Sequence, residues 1–143
     1  MAIRAIKFRK KLNGATGGSA NYIFLGDLNA MGLDYPYNSD IDSTTELKRW
    51  DTRASQYCDM RRLSKTQDAT WSNGSTSSIP DSNLDHVFAS KHLLFKQFTK
   101  PSDGTKVDVD VRGWVNQPSP DDKDNWIEDY SDHCLLYFEV QKV

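Results

Sequence analysis

The sequence predicts an α+β fold, with short strands and two helices in one domain that spans residues 1–143. One segment repeats apolar residues at the 3.6-residue period of a helix, and several short segments are apolar or alternate at the period of strands. Stretches rich in Gly, Ser and Pro separate these segments. The chain has no internal repeat and no long linker, so about five strands and two helices are expected in a single unit.

The first third of the chain predicts a helix, a loop, a strand and a second loop. Residues 2–12 favour a short basic helix, and Asn13–Ala20 is a Gly- and Ser-rich loop. Tyr22–Leu25 is apolar on both faces, which is typical of a central strand. Asp27–Asp42 is rich in turn formers and is expected to be a loop.

The second helix has the clearest pattern in the chain. Ser43-Thr44-Thr45-Glu46 matches a capping box, so the helix is expected to begin there. Apolar residues follow at spacings of 3, 4, 3 and 1, which is the period of an amphipathic helix: Leu47, Trp50, Ala54, Tyr57 and Cys58. We expect this helix to continue to about Leu63.

The remaining segments predict strands joined by loops. Alternating or mostly apolar residues predict the strands, and Ser, Gly, Pro and acidic residues predict the loops. Strands are expected at Ala69–Ser72, Leu84–Ser90, Val107–Val111 and Cys134–Val140, and loops at Asn73–Asn83 and Pro118–Asp129.

Composition excludes several classes of protein. The 18 Lys and Arg against 20 Asp and Glu give a net charge of −2, without the broad basic footprint of many nucleic-acid-binding proteins. No apolar run is long enough for a transmembrane helix, and the five basic residues near the start precede no apolar segment of a signal peptide. Two cysteines form neither a metal motif nor a disulfide framework, which favours a reducing compartment such as the cytoplasm and leaves localisation open.

Three polar segments lie beside predicted strand ends. Gly26-Asp27-Leu28-Asn29 follows the first strand, and residues two apart in a strand project to the same side. Glycine also allows close approach by backbone or ligand. The alternative is a simple turn, because these residue types form turns by themselves.

The second polar segment is Ser82-Asn83-Leu84-Asp85-His86, which opens a predicted strand. A carboxylate within an apolar strand is costly unless it is paired, so Asp85 is expected to need a partner such as an imidazole. The alternative is an Asp85 that faces solvent on an edge strand.

The third polar segment, Tyr130-Ser131-Asp132-His133, precedes the last strand. It offers a carboxylate suited to Mg²⁺ and the side chain that most readily changes charge near neutral pH. The alternative is a polar loop that enters a strand.

In this order, the three segments resemble the C-terminal half of the endonuclease/exonuclease/phosphatase superfamily, the deoxyribonuclease I-like fold. The Thr70-Trp71 pair and the preceding helix are similar in place, and the resemblance covers about residues 2–143. It implies half of a four-layer α/β sandwich, with one mixed, mainly antiparallel sheet and helices on one face.

The resemblance also implies catalytic roles. Asp27 is similar to the residue that acts on the attacking water, and Asn29 to the one that hydrogen-bonds the phosphate. Asp85 is similar to the carboxylate that orients the motif histidine, here His133, which binds the scissile phosphate or shuttles a proton. We expect Asp85 and His133 to meet across adjacent strands.

The same resemblance implies a metal and a substrate contact. Asp132 is similar to a carboxylate at or near a divalent ion, which would be Mg²⁺ or Mn²⁺. His86 follows the strand aspartate at a variable position and is a candidate substrate contact.

Other residues of the family site have no counterpart here. The family's N-terminal half carries an Asn, a metal-binding Glu and a further His or Tyr, and nothing upstream of Tyr22 supplies them. The chain therefore resembles half a domain. We expect a phosphodiester hydrolase, with a nuclease favoured, that is inactive as this chain alone. A non-catalytic binding or structural fragment, a phosphatase and a lipid phosphodiesterase remain alternatives.

The half-domain resemblance also predicts partners beyond a phosphodiester substrate such as nucleic acid. Strands that are apolar on both faces need a second cover, which a second copy or an N-terminal half would provide. We therefore expect a homodimer or association with such a half.

Overall fold

The computed structural model describes residues 2–17, 20–34 and 39–142. In these ranges the fold is mixed helix and strand, which confirms the α+β class. The helices are α1 (Ala2–Thr16), α2 (Ser43–Tyr57) and α3 (Pro120–Asp129), with a 3-10 turn at Trp114–Asn116. None of the helices in the described ranges combines the length and apolar content needed to cross a bilayer.

The strands of the described ranges are short, at two to six residues each. In chain order they are β1 (Ile23–Asp27), β2 (Leu33–Asp34), β3 (Ser39–Asp40), β4 (Met60–Arg62), β5 (Asp85–Ser90), β6 (Leu94–Phe95), β7 (Phe98–Thr99), β8 (Lys106–Val107), β9 (Asp110–Arg112), β10 (Leu135–Tyr137) and β11 (Val140–Lys142).

These strands form several small sheets in place of the single mixed sheet that the resemblance implies. One sheet has the order β1-β5-β4, and antiparallel pairs join β2 to β3, β7 to β8 and β9 to β10. Strands of two or three residues make only short ladders, so each pair is a local feature. The four-layer half-sandwich stays a prediction.

The chain divides into two compact units. The first unit takes Met1–Leu63, His86–Leu94 and Gln141–Val143, and the second takes Ser64–Asp85 and Phe95–Val140. Each unit is therefore assembled from separate stretches of chain. That residues 1–143 represent one domain of endonuclease type stays a prediction.

The core of the first unit forms around α2. The buried face of α2 packs with β4, β5 and the region after β1, and half-buried Tyr22, Phe24 and Leu28 lie against it. The buried members of this cluster are Ala30, Leu47, Trp50, Ala54, Cys58, Met60 and Phe88. The predicted apolar period of α2 thus describes its buried face, except that Tyr57 is exposed.

Both ends of α2 differ from the prediction. The N-cap is Asp42, whose Oδ1 accepts the Thr45 N–H at 2.8 Å, in place of a box that starts at Ser43. The chain leaves the helix after Tyr57, and Asp59 has a positive φ of 51°. The prediction that this helix continues to about Leu63 is therefore wrong, because the residues after the helix form β4, which pairs with β5.

Helix α1 is also longer than predicted. It continues to Thr16 and so includes residues assigned to the Gly- and Ser-rich loop. Among the α1 side chains that the structure describes, Arg9 is buried, and its Nε donates to Ser90 Oγ at 2.8 Å. Arg9 thus anchors this helix to Ser90.

The second unit has a core around Val111, Trp114 and Cys134. Trp126 and Ile127 of α3 pack against it, so the acidic loop predicted at Pro118–Asp129 is wrong. Ser119 caps α3, Pro120 occupies its first turn, and two acidic residues follow. These are helix-start signals that favour a helix here.

Two predicted strands are interrupted. Val107–Val111 is divided between β8 and β9, because buried Asp108 accepts hydrogen bonds from Ser64 Oγ at 3.2 Å and Gln97 Nε2 at 2.9 Å. The prediction of one continuous strand at Val107–Val111 is therefore wrong at Asp108. Cys134–Val140 is likewise divided, into β10 and the start of β11.

Candidate functional site

The predicted Asp85–His133 contact is present in the second unit. Asp85 Oδ2 lies 2.7 Å from His133 Nδ1, which is a hydrogen-bond distance for a charged acceptor. The aspartate is buried, and the His133 side chain is 30% exposed. A ligand can therefore reach the imidazole while the carboxylate that holds it is shielded from water.

The route by which the two residues meet differs from the prediction. His133 precedes β10, which pairs with β9, and Asp85 begins β5. Trp71 bridges antiparallel to both Ser82 and His133. A short extended segment around Trp71 therefore lies between the Asp85 and His133 segments. The two residues meet through this segment and do not lie on adjacent regular strands.

Thr70 connects the Asp85 and His133 segments. Its Oγ1 accepts the backbone N–H groups of Leu84 at 3.1 Å and Asp85 at 2.9 Å, and its carbonyl accepts the Cys134 N–H at 2.8 Å. The side chain is fully buried. One threonine thus sets the backbone beside both members of the dyad.

Lys65 supports the same segment from within the unit. It is 5% exposed, and its Nζ donates to the Asp85 carbonyl at 2.8 Å, Asn83 Oδ1 at 2.6 Å and the Asp68 carbonyl at 3.1 Å. Sequence reasoning missed Lys65, because no periodicity distinguishes a buried lysine from a solvated one.

Asp132 is held by two indole groups. Its Oδ2 accepts the Trp71 Nε1–H at 2.9 Å, and its carbonyl accepts the Trp114 Nε1–H at 3.0 Å. The side chain is exposed. Trp71 is therefore a polar support for a predicted site residue as well as a half-buried ring.

A divalent ion needs more than these residues provide. The described ranges contain no group of three or more His, Cys, Asp and Glu side chains that could hold a metal. Mg²⁺ usually takes one or two carboxylates, waters and phosphate oxygens, and Asp132 could supply one such oxygen. The described residues do not by themselves fit the ion, and the metal role of Asp132 stays a prediction.

Asp27 and Asn29 lie together in the first unit, in a tight turn at the end of β1. The Asn29 N–H donates to Asp27 Oδ1 at 2.9 Å, and Asn29 has a φ of 48°. Gly26 has a φ of 136°, which side-chain-bearing residues rarely adopt. Both polar side chains are exposed, and the turn predicted as the alternative is present. Their catalytic roles stay predictions.

His86 does not lie where a substrate contact was expected. Its side chain is 0% exposed, and its ring packs edge-on against Trp50 at a centroid distance of 6.2 Å. It is a core histidine of the first unit. The assignment of His86 as a substrate contact is therefore corrected, since solvent does not reach it.

The chain matches no family model, no curated protein and no solved structure. The resemblance to the endonuclease/exonuclease/phosphatase superfamily therefore depends on the three ordered motifs alone. Within the described residues, the Asp85–His133 pair and the groups that position it are the features that bear most directly on function.

Proposed function

We propose that this chain carries the histidine–aspartate pair of a divalent-metal-dependent phosphodiester hydrolase, with nucleic acid as the favoured substrate. The observation that carries the proposal is the 2.7 Å contact between Asp85 Oδ2 and His133 Nδ1. An imidazole held at one nitrogen by a buried carboxylate has a defined orientation, which is what a proton donor or phosphate ligand requires.

Each predicted residue has a task that hydrolysis needs. Water adds to phosphorus, the bond from phosphorus to the leaving oxygen breaks, and one proton passes from the water to the leaving group. For Asp27 and Asn29 of the first unit, the roles of accepting the water proton and of donating to a phosphoryl oxygen rest on the resemblance alone. His133 would bind a phosphoryl oxygen or protonate the leaving group, and Asp85 would hold its ring.

The proposal includes a divalent ion, Mg²⁺ or Mn²⁺, because the resemblance implies one. Asp132 would offer one carboxylate, and waters, phosphate oxygens and the partner that the resemblance implies would offer the other ligands. We therefore expect this chain alone to bind substrate at His133 and to turn it over little or not at all.

One observation favours the second candidate, a non-catalytic binding or structural fragment. The described ranges lack a metal-binding cluster. A purely structural fragment would use the Asp85–His133 pair only to join two segments of the second unit.

The three histidines of the chain permit a direct test. His133 is half-buried at the proposed site, His86 is buried, and exposed His92 bonds Asn21 through Nε2 at 2.7 Å. We expect titration with a dinucleoside monophosphate to shift the imidazole NMR signals of His133 saturably and leave those of His86 and His92 in place.

Matched variants sharpen this titration. Asp85→Asn should weaken the His133 response about tenfold, because the neutral amide holds the ring less strongly. Asp81→Asn removes a carboxylate that pairs with Lys123 at 2.9 Å, and it should change nothing. A His133 signal that does not move, or three histidines that move alike, would overturn the hydrolase proposal.

Turnover is the second measurement. The purified chain with Mg²⁺ or Mn²⁺ should leave plasmid DNA, RNA and bis(p-nitrophenyl) phosphate uncut. Cleavage that His133→Ala or Asp27→Ala abolishes would contradict the expected inactivity while supporting the hydrolase itself.

A further inference from the structure

Charge is divided unequally between the two units. The first unit has twelve Lys and Arg against seven Asp and Glu, and the second has six against thirteen. The net charge of −2 for the whole chain therefore conceals a basic unit and an acidic one. A basic surface is where a polyanion would bind.

The basic charge of α2 lies on its outer face. A shallow groove of about 320 Å³ runs along this face, lined by Thr45, Lys48, Arg49, Thr52, Arg53 and Tyr57. The lining residues recur at helical spacing, opposite the face that Leu47, Trp50 and Ala54 bury. Three cations and one aromatic ring thus share one side of the helix, and the lining residues that the structure describes include no carboxylate.

The carboxylates within α2 are engaged elsewhere. Glu46 is buried and accepts the Gly32 N–H at 2.8 Å. Asp51 accepts two bonds from Arg62, at 2.8 and 2.7 Å. At the start of the helix, Asp42 accepts the N–H and hydroxyl of Thr45.

Helix α1 adds basic charge to the same unit. Arg4, Lys7 and Lys11 are exposed and lie at spacings of three and four residues, so they share one face. The helix has no acidic residue, and it contacts α2. Phosphate groups that approach α2 would therefore meet no repulsion from α1.

The groups that line the groove favour a nucleic acid strand over a lipid surface. One arginine can donate two parallel hydrogen bonds to the oxygens of a phosphate group, and a nucleic acid base can stack on an exposed aromatic ring. Tyr57 is 68% exposed. A helix that lies on a membrane needs an apolar face beside its cations, whereas the apolar face of α2 is buried in the core. The hydroxyl of Thr52 donates to the Lys48 carbonyl, so recognition depends on the cations and the ring.

We propose that the outer face of α2 binds single-stranded nucleic acid, with Lys48, Arg49 and Arg53 on consecutive phosphates and Tyr57 stacked on a base. This surface belongs to the first unit and contains none of the proposed catalytic residues. It does not rest on the hydrolase proposal, and it is tested without a metal.

The test is fluorescence anisotropy with a labelled 12-nucleotide single strand, in EDTA, between 50 and 200 mM salt. Lys48→Ser with Arg49→Ser and Arg53→Ser should weaken binding at least tenfold and lower the salt slope by about 2, since each single-strand phosphate contact contributes about 0.7. Tyr57→Ser should weaken binding about tenfold and leave the slope unchanged.

A charge-matched control comes from the second unit. Lys96→Ser with Lys100→Ser and Lys106→Ser removes the same charge from residues whose partners are Glu139, Asp68 and Thr99. It should change binding less than threefold, and circular dichroism checks that both triple variants fold.

Three results would overturn the proposal. Equal losses in the two triple variants would show a general charge effect. Binding to phosphatidylserine vesicles that the α2 triple variant loses, without binding to the oligonucleotide, would assign the face to membranes. Association of the chain with itself at low salt, lost in the α2 variant and without oligonucleotide binding, would assign it to the acidic unit of a second copy.

Discussion

Buried polar side chains with several partners determine the geometry around Asp85. Thr70 accepts two backbone N–H groups there, and Lys65 donates to three oxygens. A buried charge is tolerated only when its hydrogen bonds are made, so these contacts hold the segment in one conformation.

The two cysteines are buried as thiols. Burial raises the pKa of both Cys58 and Cys134, so they stay protonated at neutral pH.

The stabilising role of the Lys65 contacts can be tested by substitution. Lys65→Met should lower the free energy of unfolding by about 2–4 kcal/mol, because the acceptors it satisfies lose charged hydrogen bonds. Urea denaturation measures the change. The control is Lys106→Met, an exposed lysine bonded to Thr99, which should cost less than about 0.5 kcal/mol. Equal effects of the two changes would contradict the structural role of Lys65.

At the scale of elements, helix α3 shows how local signals and packing combine. Ser119 Oγ accepts the Asp122 N–H at 3.2 Å, and Trp126 and Ile127 pack on the core of the second unit. Trp126 also lies over Tyr130, one turn later, at a centroid distance of 4.5 Å. Such a short helix has little stability alone, so the cap and these contacts maintain it.

The cap of α3 can be tested directly. Ser119→Ala should destabilise the chain by about 1 kcal/mol, and Ser119→Gly by only a few tenths. Ser78→Ala, at an exposed loop position, is the matched control and should be near neutral. Thermal unfolding followed by circular dichroism measures all three, and a Ser119→Ala variant as stable as the control would contradict the capping role.

At the scale of the whole molecule, large apolar side chains remain exposed. Leu25 in β1 is 50% exposed and Leu135 in β10 is 63% exposed. Isolated exposed leucines are common, but strands apolar on both faces are typical of sheets with a second cover. These residues keep the expectation of a dimer in place.

We therefore predict self-association at micromolar concentration, with sedimentation giving twice the chain mass of 16.3 kDa. Leu25→Ser should shift the species toward monomer, because it removes apolar area from the interface. Ile79→Ser is the control, since Ile79 is 51% exposed in a loop. A wild-type chain that sediments as a clean monomer would refute the dimer.

Local sequence alone determined the α+β class, the buried face of α2 and the need of Asp85 for a partner, whereas the choice of His133 as that partner came from the resemblance of the three ordered motifs. These follow from short-range rules, since apolar periodicity reports burial and a carboxylate in an apolar strand needs a partner. Ser119-Pro120 is an equally local signal for a helix start, although the acidic composition of the segment favours a loop.

Tertiary structure decided the features that depend on residues distant in the chain. His86 directly follows the aspartate of the second polar segment, and only packing against Trp50 shows that it belongs to the core. Lys65 becomes a support of Asp85 only because the fold brings them together across 20 positions. Asp108 interrupts a strand because Ser64 and Gln97 donate to it. The physical reason is that a polar side chain can be buried only where distant partners satisfy it, and sequence spacing does not specify those partners.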